Sequence, residues 1–274
     1  MIQVTGKHFI THNSLIPVKF IDNYVGDEDD TIYEVVCVVQ FTPLFLEEHL
    51  ARFLSSLVSV YKDKSLVVNK QLISERIRKL IRKNNISFGN IRFQFNSNNT
   101  KQFRAWFIPA AYPSKQQYTE GVSVKTLPAK RTNPNIKTRN KKLRNDADEF
   151  IINHHVYEAI LVNQEGYLTE GSRSNIFFIS NEIFFTPPQS DVLQGVTREK
   201  IISLLTNNNL HFKERLIHIS ELNSFQSCFI SGTSVKVLPV ATINEVTMDV
   251  QNNLLKNLIY LYNSLIERYL ESFP

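Results

Sequence analysis

The sequence predicts a mixed α/β protein of the α+β kind, divided into two domains, and three observations predict it. Strand-like and helix-like segments alternate through the first part of the chain. The stretch Pro109–Gln117 carries two prolines among small residues and interrupts both periodicities, which marks a linker. A longer series of strands and helices follows and closes on a helix striped with Leu254, Leu258, Leu261 and Leu265. The expected division is a smaller N-terminal α+β domain at 1–111, a linker at 112–118 and a larger domain at 119–274. Two domains of this size can each bury a core, and a ligand is expected in the cleft between them.

Taken in order, Thr31–Gln40 is rich in β-branched and aromatic residues and reads as a strand. Leu46–Tyr61 places Leu50, Phe53, Leu54 and Leu57 at helical spacing, and Gln71–Lys83 is a second amphipathic helix. Asn90–Asn96 and Gln102–Pro109 read as strands around the turn-forming SNNTK. Beyond the linker come a strand at Gly121–Thr126, a basic stretch, and a helix over Leu143–Val156. Strands follow at Ala159–Asn163, Asn175–Ile179 and Ile183–Thr186, then a helix at Thr197–Leu205. Strands at Phe229–Ser231 and Val235–Ile243 precede the closing helix, Asn252–Leu270.

Composition narrows the function. The formal charge is +5, but 26 acids dilute it, so it argues only weakly for polyanionic partners. No apolar run approaches the ~20 residues of a membrane span, and the amino-terminal stretch lacks an apolar segment of signal-peptide length, so the cytoplasm is the expected location. The two cysteines, Cys37 and Cys228, sit in apolar runs and read as buried thiols in a reducing compartment. Phosphate-binding loops of the G-x-x-x-x-G-K-[ST] and G-x-G-x-x-G kinds are absent, as is a G-x-S-x-G nucleophile elbow. His154 and His155 are adjacent on a helix and have no metal-ligand spacing around them, so no metal is expected.

Lys125–Arg144 holds eight cations and no acid. A nucleic-acid surface would want aromatics to stack on bases, and none occurs there. Lys137 differs from its neighbours: it follows Ile136 in an extended segment led by Pro134, just before a helix, and can turn inward while the others stay solvated. Only eight glycines occur in the chain, so each marks a backbone requirement. Three lie in polar turns between apolar segments, YLTEGSRSNIFFI, VLQGVTREKII and FISGTSVKVLPV. In the second, Gly195 and Val196 lead into a helix with Thr197 as its expected N-cap, an arrangement suited to anions. In the third, Gly232, Thr233 and Ser234 offer close backbone approach and hydroxyl donors.

Together the segments IYEVV (Ile32–Val36), FLEEHLARF (Phe45–Phe53), IKTRN (Ile136–Asn140), YLTEGSRSNIFFI, LQGVTR (Leu193–Arg198) and SGTSVKVLPV (Ser231–Val240) resemble the class IV pyridoxal-phosphate (PLP) aminotransferases. That family includes branched-chain and D-amino-acid aminotransferases and aminodeoxychorismate lyases, and IYEVV is most similar to the D-amino-acid enzymes. The resemblance implies a two-domain fold with the cofactor in the interdomain cleft, a homodimer, and amino-acid and 2-oxo-acid substrates with no nucleic-acid or membrane partner. It implies that Lys137 forms the Schiff base with the cofactor and shuttles the substrate α-proton, and that Glu170, in the TEG turn, pairs with the pyridine nitrogen. Arg52, Val196, Thr197 and Thr233, with Gly232 or Ser234, would grip the phosphate. Tyr33 would face the substrate or the ring, and Asn175 would lie near the same edge.

The sequence departs from the family in two places. Tyr24 stands where an arginine is usual, and Glu28–Thr31 replaces a Y-G-D-G segment. Where many members carry an R-G motif for the substrate carboxylate, this chain has IRFQFNSNNTKQFRAWFIP; Arg92 and Arg104 are the cations that could substitute, and the sequence assigns neither. The resemblance thus implies a transaminase, with a lyase releasing pyruvate or a cofactor-fold protein without turnover as alternatives.

Overall fold

The computed structural model describes residues 3–11, 14–25, 31–61, 69–96, 102–131, 134–138 and 140–272. The turn SNNTK and most of the Glu28–Thr31 segment lie outside the described residues. The chain forms two compact units. Unit 1 comprises Met1–Ala111, Ile136–Asn140 and Ile266–Pro274; unit 2 comprises Tyr112–Asn135 and Lys141–Leu265.

Unit 1 is an antiparallel sheet backed by two helices. Its elements are β1 (His8–Thr11), β2 (Ser14–Pro17), β3 (Ile32–Val39), β4 (Thr42–Pro43), α1 (Leu46–Tyr61), α2 (Lys70–Asn84), β5 (Phe88–Asn96) and β6 (Gln102–Ile108). The strand order is β2-β1-β6-β5-β3-β4. Strand side chains alternate between faces, and the face toward the helices carries Ile32, Val36 and Val38 of β3 with Ile91, Phe93 and Phe95 of β5. Against it pack Leu50, Phe53 and Leu57 from α1 and Ile73, Ile77, Leu80 and Ile81 from α2. The Asn69 side chain caps the first turn of α2 by accepting from the amides of Gln71 and Leu72, and Asn85 ends the helix in the left-handed conformation, φ 53°.

Unit 2 contains α3 (Lys115–Glu120), β7 (Val122–Pro128), α4 (Lys141–His154), β8 (Glu158–Val162), β9 (Tyr167–Gly171), β10 (Asn175–Ser180), β11 (Ile183–Thr186) and α5 (Val196–Asn207). It continues with β12 (Phe212–Glu214), β13 (Ile217–His218), β14 (Ser227–Gly232), β15 (Lys236–Ile243), β16 (Val246–Thr247) and α6 (Asn253–Ser272), whose last residues belong to unit 1. The sheet runs β12-β11-β10-β14-β15-β7-β8-β9-β13, with β16 on β15. One face buries Ile160, Leu168, Ile176, Phe178, Ile230 and Leu238. Strands β7 and β8 pair in parallel, so the chain between them must cross over rather than turn back. That crossover contains α4 and, ahead of it, the five residues Ile136–Asn140 that cluster with unit 1.

Two expectations change. The stretch read as linker folds at its end into α3, because Ser114 and Gln117 form a reciprocal capping box. The residues Tyr167–Gly171, read as a turn, are strand β9: Thr169, Glu170 and Gly171 are buried against a neighbouring strand and their polar atoms are satisfied there, which polarity alone does not reveal. Cys37 and Cys228 are free and buried, and burial raises the Cys228 thiol pKa. Among the described residues no helix is long and apolar enough to cross a membrane.

Phe53 is fully buried and meets Phe93 edge-on at 5.0 Å between ring centres. Phe53→Ala therefore leaves a cavity between α1 and β5 and should cost about 3–5 kcal/mol in urea-induced unfolding.

Candidate active site

The two units each hold part of the expected site. In unit 1, the alternation of β3 sends Glu34 to the same apolar face as Ile32 and Val36, where it is wholly buried. Helix α1 meets it with His49 and Arg52, three apart and so on one helical face. Arg52 closes a two-pronged grip, Nε donating to Glu34 Oε1 at 2.7 Å and Nη2 to Oε2 at 2.6 Å. His49 Nδ1 lies 2.9 Å from Oε2. Burial by itself would raise the Glu34 pKa, but the Arg52 charge and the hydrogen bonds from Arg52 and His49 outweigh it and bring it down to about 2. Burial holds the His49 pKa below its ordinary value despite Glu34. An ionised carboxylate only accepts, so the His49 nitrogen facing it, Nδ1, carries a proton.

Lys137 is fixed beside this cluster by backbone contacts on the start of β3. The Tyr33 amide donates to the Lys137 carbonyl at 3.2 Å, and Thr138 bridges Ile32 in antiparallel fashion. The half-buried Lys137 Nζ lies 5.2 Å from the centre of the Tyr33 ring. The Lys137 charge is also one of the influences that lower the His49 pKa. Within the basic run, Lys137 is held at Tyr33, whereas Arg131, expected to stay solvated, is instead drawn into an ion pair with buried Glu170. Tyr24, in the place of the usual arginine, rests on Phe9 at 5.7 Å between ring centres.

Unit 2 gathers the remaining residues. Glu170, on β9, is 2 % exposed. Its Oε1 accepts from Arg131 Nε at 2.8 Å and its Oε2 from the Leu193 amide at 3.1 Å. The Leu193 carbonyl in turn accepts from Asn175 Nδ2 at 2.9 Å. A Cβ on Gly195 would overlap Asn175 Oδ1, so any larger residue there would have to push the Asn175 side chain aside. Gly195 is the N-cap of α5 and supplies no side-chain cap, which leaves Thr197 as the helix's second residue rather than its cap. The expected Thr197 cap is not seen because the helix already opens at Val196, with Gly195 in the cap position.

Strand pairing brings the third turn to the same place. Asn175 pairs with Ser231 across β10 and β14, and Gly232 packs against the Arg173 carbonyl and Ser174. Thr233 and Ser234 follow, half-buried, in the turn to β15. Ser231, fully buried, has a hydroxyl with no hydrogen-bond partner among the described residues. Glu170, Asn175, Gly195–Thr197 and Ser231–Ser234 are therefore one contiguous set.

Sequence reading missed Glu34, His49 and Glu158. Glu158 is 3 % exposed, and its carboxylate accepts from the Ala159 and Arg173 amides and the Ser172 and Ser174 hydroxyls. It shapes the loop that joins the strand of Glu170 to the strand of Asn175. For both glutamates the signal was a lone acid in an apolar strand, at a core-facing position in IYEVVCVV and opening EAILV. Arg198, within the LQGVTR segment, is buried and turns away, donating to the Pro187 carbonyl and pairing with Glu214.

Residues 31–243 match the family described as amino-transferase class IV. The chain belongs to that family. It is 27% identical over 232 residues, 80% of this chain and 81% of the other, to a D-alanine aminotransferase of Bacillus licheniformis. The fold is similar to that of the Escherichia coli branched-chain amino acid aminotransferase, with TM-score 0.83 and 20% identity over 96% of this chain and 95% of the other. It is also similar to a Legionella pneumophila protein named as a 4-amino-4-deoxychorismate lyase, with TM-score 0.77 and 18% identity over 89% and 97% of the two chains. Class IV aminotransferases use PLP, and this chain is a PLP-dependent aminotransferase of that class.

Two predictions follow from these contacts. Glu34 ionises at about 2 in the fold against an ordinary 4.5, so its contribution to stability is present above pH 4.5 and is lost as pH falls toward 2. The melting temperature of the wild type should drop over that window, while Glu34→Gln, less stable at neutral pH, should show a flatter profile. Gly195→Ala should push Asn175 off the Leu193 carbonyl, lowering stability by about 1–3 kcal/mol in thermal melts and weakening PLP uptake measured by absorbance.

Proposed function

We propose that this aminotransferase moves an amino group between a small amino acid, of the branched-chain or D-amino-acid type, and a 2-oxo acid. The observation that carries the reading is the placement of Lys137: its main chain pairs with the start of β3, and its amine lies 5.2 Å from the centre of the Tyr33 ring. In this reading Lys137 Nζ is the covalent anchor for PLP and afterwards carries the proton removed from the substrate's α-carbon. Bound PLP supplies the electron sink that lets that proton leave. Glu170, which accepts from Arg131 and the Leu193 amide, would hold the ring nitrogen of bound PLP. Tyr33 lies along the ring or the substrate, and Asn175 holds the loop before α5.

The donors suit a phosphate. The amides of Val196 and Thr197 open a helix without a side-chain cap, the Ser231 hydroxyl is buried and unused, and Gly232, Thr233 and Ser234 offer backbone and hydroxyl donors beside it. Arg52 supplies a cation whose Nε and Nη2 are fixed by Glu34. Each charge-assisted bond is worth roughly 1.5–3 kcal/mol, enough in combination to keep PLP while its covalent link is open. The reading includes action in the cytoplasm, where two free buried thiols are at home, and assembly as a homodimer.

Protein purified with PLP should be yellow, and borohydride should fix the cofactor to the tryptic peptide containing Lys137; Lys137→Ala should do neither. A panel of L- and D-amino acids should convert the bound cofactor to pyridoxamine phosphate. Colourless protein would sink the proposal, and pyruvate release without pyridoxamine phosphate would make it a lyase.

A further inference from the structure

The connection between the strand of Glu170 and the strand of Asn175 rests on a carboxylate that the reading above leaves unused. Glu158 opens β8, is 3 % exposed, and meets three donors of that connection. The Ser172 hydroxyl donates to Oε1 at 2.7 Å, and the Arg173 amide and the Ser174 hydroxyl donate to Oε2 at 3.3 and 3.2 Å. The Ala159 amide adds a fourth bond, to Oε1 at 3.0 Å. All four donors are neutral, so the acid contributes a fixed set of acceptors rather than an ion pair. Gly171 keeps the approach open: a Cβ there would overlap the Ser174 hydroxyl oxygen and stand 3.1 Å from Glu158 Cγ. The same loop reaches both halves of the set assigned to PLP. The Ser172 carbonyl accepts from Arg131 Nη2 at 3.4 Å, and that guanidinium donates through Nε to Glu170. The Arg173 carbonyl and Ser174 Cα back Gly232, 3.6 and 3.9 Å from where its Cβ would stand, and Gly232 leads into Thr233 and Ser234.

Resting on the reading above, we propose that Glu158 is a positioning residue for PLP. By pinning Ser172–Ser174 it sets the direction of the Glu170 carboxylate, through Arg131, and the place of the phosphate turn, through Gly232. A carboxylate has about four lone-pair sites, and here four donors fill them, so Glu158 acts through the loop and not by touching the cofactor. The position demands an acceptor at both oxygens. Glutamine has the same shape, yet in either orientation its NH2 faces a backbone N–H, that of Ala159 or that of Arg173. A serine hydroxyl can turn to accept from that NH2, whereas a backbone amide cannot. One anchor of the loop is therefore lost while the volume of the buried side chain is kept.

The test compares the full-length wild type with Glu158→Gln and Ser174→Ala. Each is freed of PLP, checked for folding by circular dichroism, and titrated with PLP while absorbance and unfolding temperature are followed. The expected result is a Glu158→Gln protein that folds, binds PLP on the order of 10-fold more weakly, and gains correspondingly less unfolding temperature on loading. The pH dependence of its bound-cofactor absorbance should also differ from wild type, because Glu170 meets the ring nitrogen at a changed angle. Ser174→Ala, which removes one donor, should shift each quantity in the same direction and by less. A purely structural role would lower the unfolding temperature of the PLP-free variant and leave PLP affinity and the absorbance profile as in wild type; that outcome overturns the assignment and leaves the transaminase reading standing. Should Glu158→Gln not fold, Ser174→Ala decides alone, and wild-type affinity and absorbance in it overturn the assignment. Wild-type protein that takes up no PLP would instead bring down both.

Discussion

A carboxylate taken out of water must be met by charge and by donors, at a cost of several kcal/mol where it is not. Among the described residues three glutamates are buried, Glu34, Glu158 and Glu170, and each is met in full view: Arg52 and His49 for the first, two amides and two hydroxyls for the second, Arg131 and the Leu193 amide for the third. Buried ion pairs of this kind seldom stabilise a fold more than well-packed apolar residues would. Their consequence is geometric. An arginine bound through two nitrogens cannot swing, and a loop tied to one carboxylate by three of its donors has a single shape. Remove any of these acids and a cation or a set of amides is left buried without its counter-charge.

The same constraint explains a feature of the chain that looks disordered in charge. The eight cations between Lys125 and Arg144 meet no acid nearby in sequence, yet Arg131 finds Glu170 across 39 residues. The parallel pairing of β7 and β8 forces the chain through a crossover, and the crossover is what takes Lys137 to β3 for five residues before the chain returns to unit 2 through α4. Backbone bonds on both sides of Lys137 secure the visit.

Periodicity made most of this fold legible. Helix α1 begins and ends where the spacing of Leu50, Phe53 and Leu57 places it, and β3, β5 and β6 follow their alternation. The misses have physical causes. Strand β9 reads as a turn because a strand whose Thr, Glu and Gly are satisfied by neighbours carries no apolar signature. The hairpin β1–β2 and the two-residue strands are too short to show a period. At the site, single glycines were informative, since a Cβ on Gly195 would overlap Asn175. The partners of Arg52 and Glu170 were not, because a contact between residues 18 or 39 positions apart leaves no trace in local spacing. Glu34 and Glu158 could have been suspected as acids in strands that otherwise face a core.

The two faces of the unit 1 sheet are built on different principles. The helix-side face holds Glu34, His49 and Arg52 in a packed apolar setting, where any change is resisted by the core around it. The opposite face is built from long side chains whose rings and amides brace one another, Tyr33 against Arg92, Arg92 against Trp106 and Gln94. Such a face tolerates exchange, because moving an arginine by one strand changes where its fork points without opening a cavity.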